Sequence, residues 1–180
     1  MHAEKLVNFV FSNRLRILAP NGDFCRPFDE KASGFTRADT ICVIFLQRKK
    51  HSKRVYAELL FSNSNNDGFK KEGSTFPSRL MQKSLMEDFF KQSSINPILI
   101  DYVEAHSTGT RLGDPEEVSA LDEVYCKNVK RDHPLAIGSV KSNMGHAEAS
   151  SGVASIAKIL LTLETNKIAP NINVTKIRSD

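Results

Sequence analysis

Apolar positions along this chain change rhythm several times, and each change marks an element. Residues 40–46 (Thr-Ile-Cys-Val-Ile-Phe-Leu) form a continuous, β-branched apolar run, the pattern of a strand buried on both faces. Residues 55–61 read as a second strand, expected to pair with the first as a hairpin. Residues 63–73 (Asn-Ser-Asn-Asn-Asp-Gly-Phe-Lys-Lys-Glu-Gly) are rich in turn formers and read as a loop. Helical spacing follows over residues 77–92, with Leu80, Met81, Leu85, Phe89 and Phe90 along one side.

A strand is expected over residues 98–103, then a loop and a helix with a clear start signal. Asp114 suits its N-cap, Pro115 its first position and Glu117 the carboxylate of a capping box. Val118, Leu121, Val124 and Tyr125 give that helix its apolar face. A further strand over residues 135–140 leads through a loop into a helix over residues 147–164. That last helix opens with Ala147, Ala149, Ser150, Ser151, Gly152 and Ala154, small residues that permit close approach, so a central position is expected. Strand, loop and helix in repeated order predict an α/β layered fold. The sequence contains no internal repeat and no low-complexity segment.

Composition narrows the function classes without choosing one. With 180 residues, 40% apolar and 26% charged, the chain reads as one globular domain. No run of 18 apolar residues is present, so no membrane span is expected, and the charged start Met1-His2-Ala3-Glu4-Lys5 does not read as a secretory signal. The formal charge is +4, and much of the excess lies in Arg48-Lys49-Lys50-His51-Ser52-Lys53-Arg54. No aromatic stacking pattern accompanies this run, so it is read as a solvated loop and not as a nucleic-acid surface. Cys25, Cys42 and Cys126 are odd in number and scattered, which gives neither a disulfide framework nor a metal knuckle and fits a reducing, cytoplasmic setting.

Two loops concentrate the candidate chemistry. One is Glu104-Ala105-His106-Ser107-Thr108-Gly109-Thr110, continued by Gly113-Asp114-Pro115; the other is Gly138-Ser139-Val140-Lys141-Ser142-Asn143-Met144-Gly145-His146. Each follows an expected buried strand and precedes a helix, where open α/β sheets gather ligands. Each offers one histidine among Ser, Thr, Asn and Gly, able to donate to a developing oxyanion. On residues alone, a structural role for each histidine and a site role stand about level. A zinc site built from His106, His146 and a cysteine lacks compact ligand spacing, so no metal is expected.

The two loops resemble the paired-histidine motifs of β-ketoacyl synthases (ketosynthases), Glu-Ala-His-Gly-Thr-Gly-Thr and Gly-Ser-x-Lys-Ser-Asn-x-Gly-His. Cys25-Arg26-Pro27-Phe28-Asp29 with Gly34-Phe35-Thr36-Arg37 is similar to a further stretch of that family, and residues 66–78 look like a loop of animal-type fatty acid synthases. The resemblance runs over residues 14–173 and implies a thiolase-like fold, represented by roughly its second half. It implies decarboxylative Claisen condensation of acyl and malonyl thioesters, with His106 and His146 stabilising the enolate oxygen and Lys141 keeping the site positive. Thr108 and Thr110 fall on positions lining the passage of the pantetheine arm, and Asn143 is carried over as a substrate-binding position. No cofactor bound directly is implied; phosphopantetheine arrives on a partner acyl carrier protein, and a ketosynthase dimer is possible.

Departures from the family are specific. The family's nucleophile sits in Asp-Thr-Ala-Cys-Ser-Ser, and none of the three cysteines here has that setting. The glycine-rich Gly-Phe-Gly-Gly-Thr-Asn strand is not found either, so the chain is expected to be a fragment of a condensing domain, inactive alone. Ser107 replaces a glycine, which is expected to crowd the first loop, and Asp39-Thr40 replaces Glu-Gly. A non-catalytic half-domain that pairs with an intact synthase or binds acyl carrier protein remains an alternative, as does a polyketide synthase fragment.

Overall fold

A computed structural model of the chain describes residues 17–19, 24–127 and 129–179. The readings made over residues 1–16 lie outside the described residues.

Helix α1 spans Arg79–Ser93, and the Ser78 hydroxyl caps it by accepting the Met81 N–H at 3.3 Å. It ends where Ser94 turns left-handed at φ 57°. A short 3-10 turn, Pro97–Leu99, precedes strand β1, Tyr102–Glu104. Helix α2, Gly113–Tyr125, crosses to strand β2, Ala136–Gly138, which pairs with β1 in parallel, Glu104 opposite Gly138. Both strands are shorter than the apolar runs that announced them: Pro97 opens a turn where β1 was expected to begin, and Val140, expected in β2, is the N-cap of the next helix. Helix α3 is a single turn, Lys141–Met144, within the segment expected to be loop. A 3-10 turn, Glu148–Ser150, leads into helix α4, Ser151–Thr165, closed by left-handed Asn166 at φ 53°.

Packing explains which patterns succeeded. Helices α1 and α2 lie together through Phe90 and Tyr125, whose rings meet edge-to-face at 5.3 Å, and through the Lys83–Glu123 ion pair at 2.9 Å. Ala120, Leu121 and Val124 are buried on the α2 face expected to be apolar. Phe61 extends the cluster by touching Phe89, ring centres 5.2 Å apart.

The expected hairpin does not form. Residues 40–46 and 55–61 belong to no strand, and Lys49–His51 between them make a 3-10 turn. Cys42 and Ile44 are half-buried while Ile41, Val43 and Phe45 are 98%, 90% and 82% exposed, so only one side of the run is covered. A run apolar on both faces needs neighbours on both, and among the described residues it has them on one. The same reason corrects the central placement of α4. It buries Ser151, Ala154 and Lys158 on one face, yet Leu161 is 61% exposed and nothing lies within 4 Å of the Gly152 Cβ position. The basic run is a surface loop, with Lys49 paired to Glu58 and Arg54 to Glu164.

Candidate functional site

The first histidine loop is folded by carboxylates that the sequence pattern had placed elsewhere. Asp114 is not the N-cap of α2: Leu112 holds that place and Asp114 lies inside the first turn, 2% exposed. Its carboxylate accepts the backbone N–H groups of Thr108, Gly109 and Thr110 at 3.1 to 3.3 Å and that of Phe28 at 3.1 Å. Burial pushes this carboxyl above its ordinary range, and the backbone donors pull it back. Pro115, likewise, is the third helical residue and not the first. The Thr110 hydroxyl supplies the missing end contact by accepting the Gly113 N–H at 3.2 Å.

Glu117 makes no capping box either. Its two oxygens accept the N–H of His106 and of Ser107, each at 2.7 Å. Ser107 does not crowd the loop: it is 1% exposed, and its hydroxyl donates to Glu117 at 2.9 Å. Gly109 closes the turn at φ +85°, where a Cβ would stand 2.7 Å from the Arg26 nitrogen, so only glycine fits.

The second loop is tied to the first from below and to residues 36–38 from the side. The Val140 N–H donates to the Glu104 carboxylate at 2.5 Å, and the Ser139 hydroxyl donates to the Ser107 carbonyl at 2.7 Å. The His146 N–H donates to the Thr36 carbonyl at 2.8 Å, and the Ala38 N–H donates back to the His146 carbonyl at 3.0 Å. Gly145, at φ +82°, lets the chain turn there.

These ties bring the two histidines together. The rings of His106 and His146 stand edge-to-face, centres 5.1 Å apart, with the Phe35 ring 4.9 Å from His146. Lys141 is 2% exposed beside them. Burial holds the His146 imidazole down to about 4, reinforced by the charges of His106, Lys141 and Arg37. The protein around His106 and the charge of Lys141 also lower its imidazole, against the pull of Glu117. Burial lowers Lys141 itself, opposed by Glu104 and Glu117. Both rings are therefore neutral at pH 7, each with one N–H to donate. The Nδ1 of His146 is buried without a hydrogen-bond partner among the described residues.

Other candidates fall around this pair. Thr108 is 4% exposed, and Thr110 is half-buried with its hydroxyl engaged at α2. Asn143 is exposed and donates to the Pro170 carbonyl at 3.1 Å. Cys25 is 1% exposed; its sulfur accepts the Thr36 N–H at 3.2 Å, and burial pushes the thiol up, which suits a structural thiol and not a nucleophile. Cys42 is half-buried and Cys126 is exposed near the end of α2. Among the described residues no three His, Cys, Asp or Glu side chains form a group able to hold a metal ion. A cleft of about 420 Å³, lined by Phe28, Tyr102, Val118, Ile137 and Pro170, lies next to this scaffold but reaches neither histidine.

The chain belongs to the β-ketoacyl synthase family. Residues 56–175 match the family model described as "Beta-ketoacyl synthase, C-terminal domain", and residues 3–52 match the corresponding N-terminal domain. The chain is 44% identical over 151 residues to a fatty acid synthase of Anser anser anser, an alignment covering 84% of this chain and 42% of that relative. It is 39% identical over 171 residues to a highly reducing polyketide synthase of Talaromyces stipitatus, covering 93% of this chain and 7% of the relative. The crystallised ketosynthase from module 6 of the bacillaene synthase of Bacillus subtilis 168 superposes with a TM-score of 0.84 at 32% identity, over 96% of this chain and 31% of that one. The fold is therefore thiolase-like, and the chain spans less than half the length of each of these relatives. Among the described residues no helix is long and apolar enough to cross a membrane.

Proposed function

We propose that this chain supplies the paired-histidine part of a decarboxylative condensing site, of the fatty acid synthase kind. The observation that carries the reading is the edge-to-face approach of His106 and His146 at 5.1 Å, beside buried Lys141. In malonyl thioester the bond from the α-carbon to the carboxylate breaks, carbon dioxide leaves, and the electron pair remains as an enolate with charge on the thioester oxygen. Two neutral imidazole N–H donors converging on that oxygen stabilise it as it forms. The enolate carbon then attacks an acyl thioester carbonyl, and the thiolate leaves.

The acyl-carrying cysteine of that second step is expected from outside this chain, since Cys25 is buried and hydrogen-bonded. Decarboxylation is the half-reaction these residues are equipped to support. No cofactor is bound directly: the phosphopantetheine arm of an acyl carrier protein brings the malonyl group past Thr108 and Thr110, with Asn143 at the edge. The working assembly is a cytoplasmic synthase, dimeric as such synthases can be. The fatty acid kind is preferred to the polyketide kind on the higher identity, 44% against 39%.

A second reading has its own observation. Ile41, Val43 and Phe45 stand 82–98% exposed on one side of the chain, which fits a half-domain that pairs with an intact synthase without catalysis of its own. The two readings separate in one pair of assays on the purified chain: malonyl decarboxylation from carrier protein, and co-purification with an intact synthase. Decarboxylation supports the first; association without decarboxylation replaces it with the second.

A further inference from the structure

Lys158 lies outside both histidine loops, on the buried face of α4 with Ser151 and Ala154. Its side chain is 6% exposed, and its ammonium stands 2.8 Å from Oε2 of Glu104, itself 5% exposed. The Lys158 ammonium also donates to the Tyr102 hydroxyl at 2.9 Å, and that hydroxyl donates to the same Glu104 oxygen at 2.5 Å. The other oxygen, Oε1, accepts the Val140 N–H.

This carboxylate joins three pieces of chain. Glu104 ends β1, two residues before His106. Val140 immediately precedes α3, whose far end leads through Gly145 to His146. Lys158 comes from the helix that follows His146. A buried carboxylate stays ionised only when a cation and donors replace its water, and an ionised acceptor holds a backbone N–H far better than a neutral acid. Gly138 leaves the room: a Cβ there would lie 2.5 Å from the Tyr102 hydroxyl and 3.3 Å from the Lys158 ammonium. Without Lys158, the cation whose charge couples to Glu104 is Lys141.

We propose that Lys158 is a positioning residue for the histidine pair, acting through Glu104 to set the two loops so that their rings meet. The inference rests on the reading of His106 and His146 as the working pair, but its test needs no turnover.

The experiment uses the full chain with isotopically labelled histidine, and reads the ring-to-ring nuclear Overhauser effect and the titration of each imidazole. In Lys158→Met the contact between the His106 and His146 rings is lost and the His146 midpoint climbs from about 4 toward the ordinary histidine value. His51 and His133, both exposed, serve as internal controls and do not move. Lys158→Arg restores both signals. A role confined to packing lowers the melting temperature and leaves ring contact and titrations as in the parent, and that result overturns the proposal. Should Lys158→Met not fold, E104Q/K158M leaves no lone buried charge and is read the same way, unchanged rings again overturning it. Malonyl decarboxylation is measured in parallel on the parent chain: its absence contradicts the proposed function, while the ring contact decides the role of Lys158.

Discussion

Glu117 holds the backbone of His106 from inside its own helix, one carboxylate oxygen accepting the histidine N–H at 2.7 Å while the other takes that of Ser107. Glu117, the fifth residue of α2, is thus spent on the preceding loop and not on the end of its own helix. Glu117→Ala leaves three donors, two backbone N–H groups and the Ser107 hydroxyl, without their charged acceptor, a loss of about 1.5–3 kcal/mol for the first such bond alone. It also removes the one charge that raises the His106 imidazole. Urea unfolding is expected to show the lower midpoint, and histidine NMR a His106 titration displaced to still lower pH.

Asp114 carries more of the loop. Its carboxylate serves Phe28, Thr108, Gly109 and Thr110, and it is 2% exposed. Asp114→Ala orphans four backbone donors that cost about 1–3 kcal/mol each when left buried, so a loss of at least about 3 kcal/mol is expected even if water reaches some of them. Asp114→Asn keeps one acceptor oxygen and is expected to fall between the two in the same denaturation series.

Acid acts on the histidine pair in a defined window. The folded chain resists protonating His146 until about pH 4, whereas the unfolded chain takes the proton near the ordinary value of about 6.5. More protons bind to the unfolded state between those limits, so the His146 contribution to stability is complete above 6.5 and is lost progressively as pH falls toward 4. Asp29 acts lower. Burial works against its charge, but donors from Lys176, Lys31 and Thr175 win and hold it at about 2, so its contribution is complete above the ordinary carboxylate value and is lost as pH falls toward 2. Thermal melts from pH 8 to pH 2 are expected to show both declines, and His146→Phe to shrink the upper one, to which the lowered His106 also contributes.

The bare apolar side of residues 40–46 is expected to make the isolated chain self-associate. Val43→Lys and Phe45→Lys replace side chains that are 90% and 82% exposed, so they cost the fold little while breaking the patch. Sedimentation over a concentration series is expected to show association for the parent chain and less for the double variant. A parent chain that stays monomeric at high concentration contradicts this.

How much of this was readable without coordinates depends on where each residue's partner lies in the chain. The amphipathic stripes of α1 and α2 reveal part of their buried faces, Phe90 on one and Leu121 and Val124 on the other, because a helix's partners recur every three or four residues; Leu80 and Val118 of the same stripes are exposed. The histidine pair stood about level on the residues alone, and it was the resemblance of both loops to the ketosynthase motifs that singled it out. Asp114 and Glu117 were misread because an acidic first turn beside Pro115 satisfies the local rule for a cap. Only the fold shows residues 106–110 curling back over it. Residues 40–46 carry the pattern of a doubly covered strand, but cover is supplied by other segments, and a pattern does not reveal whether they are there. Lys158 went unread, although a lysine spaced four from Ala154 and seven from Ser151 on a small-residue stripe is the kind of interruption that marks a buried partner.

The most direct measurement is malonyl decarboxylation by the purified chain, with malonyl thioester on carrier protein and with His106→Ala alongside. The parent chain is expected to release carbon dioxide above the uncatalysed rate, and His106→Ala to lose on the order of 10²–10³-fold, the cost of one preorganised oxyanion donor. A parent chain no faster than buffer, or a His106→Ala variant as fast as the parent, would contradict the account of His106 and His146 as an assembled half-site.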